Sequence, residues 1–293
     1  MTFSLTPGLQ AVLEEYRKSC SFDPKTWCDD KCKKLNDYMK KCGLKTCVLN
    51  VSGGVDSAVV LGLCRNASKM QDSPIENIVA VCQPIHSSDW ALQRGQEVID
   101  KMQATNIIVD QTQFHTSLTE QIESASSIIG SDYTRGQMKS YMRTPVIYYV
   151  TQLYTLKGSP AIVMGTGNQD EDGFLLYYAK AGDGVVDVQI ISDLHKSQVF
   201  KVGEYIGVPE SILKAKPSAD LWNGQTDENE LQFSYDWVEL YTGVYLKFNT
   251  VEDQAAFKET LDEESLTQFN DWEQKILAVH NRNKHKLLGI INL

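Results

Sequence analysis

No apolar run in the 293 residues approaches the ~20 that a membrane-spanning helix needs. The first ten residues, Met1 to Gln10, lack a basic stretch followed by an apolar one. No secretory leader is expected, and the cytosol is the expected compartment. Cysteine is absent beyond residue 82. All seven, Cys20, Cys28, Cys32, Cys42, Cys47, Cys64 and Cys82, lie before that point. An odd, one-sided set is not a disulfide framework. Cys28 and Cys32, four apart, could share a helix face as a zinc or redox pair; the plainer expectation is reduced thiols acting as small apolar side chains. A basic face is missing too. The net charge is −10, and residues 218–293 alone carry 14 acidic and 6 basic residues. Binding to duplex DNA or RNA needs Lys and Arg for the phosphates, so no nucleic acid and no membrane is expected as a partner. What is present, 42% hydrophobic and 23% charged residues, is the balance of a soluble globular chain.

Leu9 to Lys41 reads as helix, ended by Gly43. Thr46 to Val51 is a short β-rich run that leads into Ser52-Gly53-Gly54, and Val55 to Leu63 then reads as helix. Ile78 to Cys82, Asn106 to Asp110 and Ala161 to Gly165 follow as strands, with a helix at Gln93 to Met102. Gln137 to Leu156 is a helix with Pro145 inside it, where a break or kink is expected. Residues 167–187 and 213–226 read as long functional loops, and 227–288 as mostly helical. Alternating β and α with fully apolar strands predicts an α/β fold, a doubly wound parallel sheet with helices on both faces. Helical N- and C-terminal extensions flank it. Loop chemistry then belongs at the carboxyl ends of the strands, where Ser52 and Thr166 fall.

Ser52-Gly53-Gly54-Val55-Asp56-Ser57 follows a strand and opens a helix. Glycines let backbone approach a phosphate, and the helix start offers free N–H groups and positive dipole. Ser52 and Ser57 add hydroxyl donors. Asp56 cannot favour an anion alone, so its expected partner is Mg²⁺, an oxygen-seeking ion that bridges phosphates. The Gly-Lys-Ser/Thr of the common triphosphate loop is absent, as is the third glycine of a dinucleotide fingerprint.

The string instead resembles the pyrophosphate loop of the N-type ATP pyrophosphatases, which split ATP into AMP and pyrophosphate while adenylating a substrate. The second half of the chain narrows this. Thr166-Gly167-Asn168-Gln169-Asp170-Glu171, Lys180-Ala181-Gly182-Asp183-Gly184 through Asp187, and His195-Lys196-Ser197-Gln198 follow in order. Lys216-Pro217-Ser218-Ala219-Asp220-Leu221, Asp227-Glu228 with Tyr235, and His285-Lys286 come after them. Together, over about 46–286, they resemble NAD synthetase. There are departures: Ser140-Tyr141-Met142-Arg143 keeps one arginine where that family usually has two, and one extra residue separates Glu171 from Lys180.

The resemblance implies an adenine-nucleotide α-hydrolase-like fold, with residues 1–45 as an N-terminal helical extension and 46–293 as the synthetase domain. It implies ATP-dependent amidation of deamido-NAD, with Asp56 and Glu171 as magnesium ligands. The implied ATP and pyrophosphate contacts are Ser52, Gly53, Gly54, Val55, Asp56, Ser57, Arg143, Thr166, Lys196 and Ser218. Deamido-NAD falls to Lys180, Asp183, Asp187, His285 and Lys286, and Asp183 and Lys196 are the catalytic candidates. Only about 45 residues precede the first strand, too few for a glutaminase domain, so ammonia is the expected nitrogen donor unless a separate glutaminase supplies it. The resemblance also implies a homodimer, and the stretch from Pro145 to Tyr154, apolar nearly all round, is in keeping with one, the competing account being a core helix within the monomer. The competing readings are a tRNA-thiolating pyrophosphatase, for which the charge is wrong, and a non-catalytic adenine-nucleotide-binding protein.

Overall fold

The computed structural model describes residues 3–215, 218, 224 and 226–292. Two helices, α1 (Pro7–Cys20) and α2 (Pro24–Cys42), precede β1 (Thr46–Asn50). Then come α3 (Val55–Ser68), β2 (Asn77–Cys82), α4 (Asp89–Met102), β3 (Thr105–Ile108), α5 (Thr112–Ser126), α6 (Asp132–Leu156) and β4 (Ala161–Gly165). A π-helical turn (Gln169–Leu175) and β5 (Val188–Gln189) follow. The chain continues through α7 (Lys196–Ile206), α8 (Glu210–Leu213), α9 (Asp227–Leu231), α10 (Tyr235–Gly243), α11 (Val251–Glu259) and α12 (Glu263–Asn283).

The sheet runs β3-β2-β1-β4-β5, with every described pairing parallel. Alternation sends Cys47 and Leu49 of β1 and Ile162 and Met164 of β4 to one face, under α2, α3 and α7. Val48 and Val163 go to the other, under Ile147 and Val150 of α6. The order reverses between β1 and β4, where Leu49 lies opposite Met164. The loops leaving these two strands diverge and open a crevice at their carboxyl ends. A second core stands apart from the sheet. Trp237, Tyr241, Tyr245 and Phe269 pack there with Leu9 and Leu13 of α1. Thus α1 belongs to the C-terminal helical core, while α2 lies under the sheet.

The single helix expected from Leu9 to Lys41 is two helices. Ser21 turns left-handed at φ 46°, and Asp23 restarts the chain by accepting a hydrogen bond from the Thr26 N–H at 2.8 Å, with Pro24 at the first helical position. The break expected at Pro145 does not occur: α6 runs unbroken through it, starting from a Ser131 cap six residues before Gln137. Its neighbour Thr144 is tied by its hydroxyl to the Ala181 carbonyl at 3.0 Å. The expected loop at 167–187 contains the π-helical turn, and α5, with Phe114, Leu118 and Ile122 at helical spacing but only His115 buried, is a helix not expected from the sequence. Most of the 213–226 loop, including Pro217, Ala219, Asp220 and Leu221, lies outside the described residues. Among those described, no helix is long and apolar enough to cross a membrane.

Candidate active site

The glycine turn works as its composition suggests. Gly53 has φ +84°, and a Cβ there would lie 2.3 Å from the Ala91 carbonyl oxygen, so glycine is required twice over. Gly54 occupies the N-cap of α3 with no side-chain cap, which leaves the first N–H groups of the helix for a ligand. The two serines hold the turn's shape: Ser57 Oγ donates to the Gly54 carbonyl at 3.0 Å and faces Ser52 Oγ at 3.3 Å.

Asp56 leaves the first turn of α3 and meets the β4 side of the crevice. Lys196, at the first position of α7, donates from Nζ to Asp56 Oδ2 and to Glu171 Oε1, each at 2.7 Å. The two carboxylates called metal ligands from sequence therefore converge on one point, which an ammonium holds here. Asp227 adjoins them, and its Oδ1 is buried with no hydrogen-bond partner. Tyr235 has one hydroxyl proton and faces two carboxylate oxygens, Glu171 Oε1 at 2.9 Å and Asp227 Oδ2 at 3.0 Å. Three acids around one lysine leave negative charge to spare. Burial, assisted by Asp56 and Asp227 and opposed by Lys196, pushes Glu171 up to about 7. Burial works against the Lys196 charge, and Asp56 and Glu171 more than offset it, so the ammonium stays protonated.

Asn168 ties the halves together, and sequence reading gave it no role. It is fully buried; its Oδ1 accepts from the N–H groups of Asp170 and Glu171 at 3.0 Å, and its Nδ2 donates to Asp56 Oδ1 at 2.9 Å. Two backbone donors fix which end of the amide is oxygen. The cap starts the π-helical turn that carries Glu171, a departure from α geometry of the kind found at functional sites. An Asn just after a strand's end was the available signal. Tyr235 and Asp227 were noted as matching the resemblance but not assigned.

Asp56, Glu171, Lys196 and Asp227 line a cavity of about 300 Å³. On its phosphate side it takes in all six residues from Ser52 to Ser57, along with Arg143 and Thr166. Glu171, Lys196 and Ser218 line it as well. Asp183 and Lys286 line the far end. Asp183 Oδ1 accepts from the Ala179 N–H at 2.8 Å and from the Ser140 hydroxyl at 3.0 Å. Lys286 Nζ donates to the carbonyls of Leu176 at 2.9 Å and Tyr178 at 2.5 Å, closing the chain end over the loop after Glu171. Three residues assigned to the same ligand are elsewhere in this conformation. Asp187 accepts from the Tyr148 hydroxyl and the Val163 N–H, both at 3.0 Å, and so fastens β4. Lys180 donates to the Leu288 carbonyl at 2.5 Å. His285 is exposed, its ring paired with the Arg282 carbonyl at 2.9 Å.

Of the cysteines only Cys82, at the end of β2, borders the cavity. Cys28 and Cys32 are buried, and burial pushes each thiol up to about 12. Among the described residues no three histidine, cysteine or acidic side chains are grouped to hold a metal, so these two have no partners for zinc.

The chain is 33% identical over 205 residues to an NH3-dependent NAD+ synthetase from Syntrophomonas wolfei, covering 69% of this chain and 78% of that one. Among solved structures, NMN synthetase from Francisella tularensis superposes with a TM-score of 0.74 at 25% identity, over 93% of this chain and 99% of that one. An NH3-dependent NAD synthetase from Campylobacter jejuni shares the fold at a TM-score of 0.68 and 20% identity, over 93% and 100% of the two chains. The family profile described as NAD synthase matches residues 27–288, spanning the glycine turn, the lysine and both carboxylates, and the chain accordingly belongs to the NAD synthase family.

Proposed function

We propose that this chain is an AMP-forming ligase that converts deamido-NAD to NAD with ATP and ammonia. The observation that carries the reading is the convergence of Asp56, Glu171 and Lys196 beside an uncapped, glycine-fronted helix start. A carboxylate resists amination because its oxygen leaves poorly. Attack of the nicotinate carboxylate oxygen on the α-phosphorus of ATP breaks the bond to the bridging oxygen and releases pyrophosphate. The resulting acyl adenylate is open to ammonia, which adds at the acyl carbon, loses a proton, and expels AMP.

The α3 start and the hydroxyls of Ser52, Ser57 and Thr166 suit the departing pyrophosphate. Mg²⁺ fits the donor set: two converging carboxylates are what it takes from a protein when phosphates and water complete its shell, and the unpartnered Asp227 oxygen adds to the negative field. When bound, it supplies charge neutralisation between triphosphate and carboxylate. Lys196, held by two carboxylates in the free protein, exchanges them for phosphate oxygens, with Ser218 and Arg143 beside it. Asp183, at the far end of the cavity, orients ammonia or takes its proton. Deamido-NAD reaches Lys286 there, and a reorganised loop brings Lys180, Asp187 and His285 toward it.

The likeness to NMN synthetase favours a second reading, in which nicotinate mononucleotide is the acid that is amidated. The chemistry is identical, and only the adenylate half of the dinucleotide is missing. One assay decides: ATP and Mg²⁺ with each acid in turn, ammonium against glutamine, and detection of AMP and of the amide. Ammonium-driven NAD formation with little or none from glutamine is expected. Faster turnover of the mononucleotide selects the second reading, and no AMP from either acid rejects both.

We also propose a homodimer. In α6, Ile147 and Val150 face the sheet, while Tyr149 and Leu153 are 63% and 45% exposed, so the helix is not covered within one chain. With Ile107, Val109, Val146 and Tyr154 they border an apolar groove of about 510 Å³, which a second copy would fill about a two-fold axis. Sedimentation at micromolar concentration should give twice the 32.9 kDa chain mass, and a species at the chain mass rejects the dimer.

A further inference from the structure

Helix α1 lies outside the residues matched by the family profile, yet a chain of buried contacts leads from it to Lys196. His195, which precedes the lysine, is 3% exposed. Its Nδ1–H donates to Asp170 Oδ1 at 2.7 Å. The other Asp170 oxygen, in a fully buried side chain, accepts the Lys196 backbone N–H at 2.7 Å. On the far side of the imidazole, the Tyr16 hydroxyl of α1 lies 3.4 Å from Nε2, with the rings edge to face. With His195 neutral and its proton on Nδ1, each donor meets an acceptor from Tyr16 to Asp170.

Tyr16 is itself fixed. Its ring covers Gly243 so closely that a Cβ there would lie 2.6 Å from it. The next residue, Arg17, donates to Glu239 and Asp236 of α10. Leu9 and Leu13 are wholly buried in the core that carries Tyr235. This helix therefore sets the back wall of the residue whose side chain spans Asp56 and Glu171. Lys196 has a long side chain with several torsions, and the position of its α-carbon limits which of them let Nζ arrive between the acids.

We infer that His195 and Tyr16 are positioning residues for Lys196, acting through Asp170, and that α1 is part of the nucleotide site's support. The inference rests on the nucleotide role given above to Lys196 and on no choice of nicotinate substrate. Its test uses the full chain and measures binding of a non-hydrolysable ATP analogue with Mg²⁺ by calorimetry.

H195A should weaken analogue binding about tenfold, the effect expected when a supporting hydrogen-bond partner is lost. H195N, whose amide can take the place of Nδ1–H toward Asp170, should recover most of it. In a K196M background, H195A should change binding little, because the residue it acts through is gone. Unchanged binding in H195A, no recovery in H195N, or an equal loss in the K196M background each overturns the proposal. Should H195A not fold, Y16F goes through the same cycle with an expected loss of about twofold, as befits a long hydrogen bond. A wild-type protein that binds the analogue but forms no amide refutes the proposed reaction and leaves this test intact.

Discussion

The two walls of the crevice are built differently. The sheet wall presents its chemistry from short loops at the ends of β1 and β4, whose strands pair in register along their length. Its residues are contiguous in sequence, 52–57 and 166–171. The helical wall presents Asp227, Tyr235 and Lys286 from α9, α10 and the end of the chain. It is held by an aromatic core that includes α1. A parallel sheet fixes loops by backbone hydrogen bonding, largely whatever the side chains. A helical wall is fixed only by how its side chains pack, so its site residues depend on contacts distant in sequence, such as Tyr16 with His195.

The largest effect should come from the seam between the walls. D56N and E171Q each leave Lys196 with one hydrogen-bonded carboxylate and, on the proposed reading, the nucleotide's cation short of a ligand. Each should lower turnover by at least about a hundredfold. Circular dichroism should be unchanged, because neither side chain belongs to a core. Near-normal turnover in either variant with Mg²⁺ would remove that residue from the ligand set.

That difference also decides what could be read in the sequence. Four strands, their parallel order and the glycine turn were legible, because period, composition and local turn chemistry suffice for them. Asp56, Glu171 and Lys196 were legible as members of motifs. The resemblance brings Asp56 and Glu171 to one ion; the place of Lys196 between them was not legible, since it needs the tertiary placement of α7 against α3. The split between α1 and α2 carried a signal in Asp23-Pro24 that helical spacing on either side obscured. Nothing local marks Tyr16, which sits where amphipathic helices commonly place a tyrosine. Pro145 misled in the other direction: a helix pressed on a sheet tolerates one missing N–H that an isolated helix would not.

Removing a ring from the helical wall should cost stability and, through it, order at the site. Phe269 is fully buried, with ring centroids 4.8 Å from both Trp237 and Tyr245. F269A should destabilise the fold by roughly 3–5 kcal/mol. If the walls are independent supports, amide exchange in F269A should rise first in α1, α10 and α12 and leave β1 and β4 protected. Equal loss of protection in both would mean that they fold as one unit.

A smaller effect should separate function from stability at the seam. Burial, with Glu171 and Asp183 nearby, pushes Asp172 up to about 7. An acid raised in the folded state holds its proton more tightly there than when unfolded. Stability is then greatest at low pH and is lost as pH rises from the ordinary aspartate range through about 7. D172N removes that loss while keeping the shape that accepts from Gln189 Nε2 at 2.7 Å. The variant should melt roughly 2–4 °C above wild type at pH 8 and approach it near pH 3, where folded and unfolded chains both hold the proton. A higher melting point at both pH values would point to packing instead of charge.

The cysteines give the smallest effect and compare the layer under the sheet with the surface. Cys28 and Cys32 of α2, Cys47 of β1, Cys64 of α3 and Cys82 of β2 are buried, whereas Cys20 and Cys42, at the ends of α1 and α2, are exposed. Burial pushes the Cys82 thiol up to about 11, as it does more strongly for Cys28 and Cys32. The reactive species is the thiolate, so these groups are protected twice, by access and by protonation. A neutral disulfide reagent should therefore titrate two thiols of seven rapidly in the native protein, and all seven in denaturant. C20S/C42S should reduce the fast count to zero with turnover unchanged, since neither thiol lines the cavity. A third fast thiol would show that α2 lifts from the sheet on the timescale of labelling. The layer under β1 would then be the looser support, reversing the contrast between the two walls.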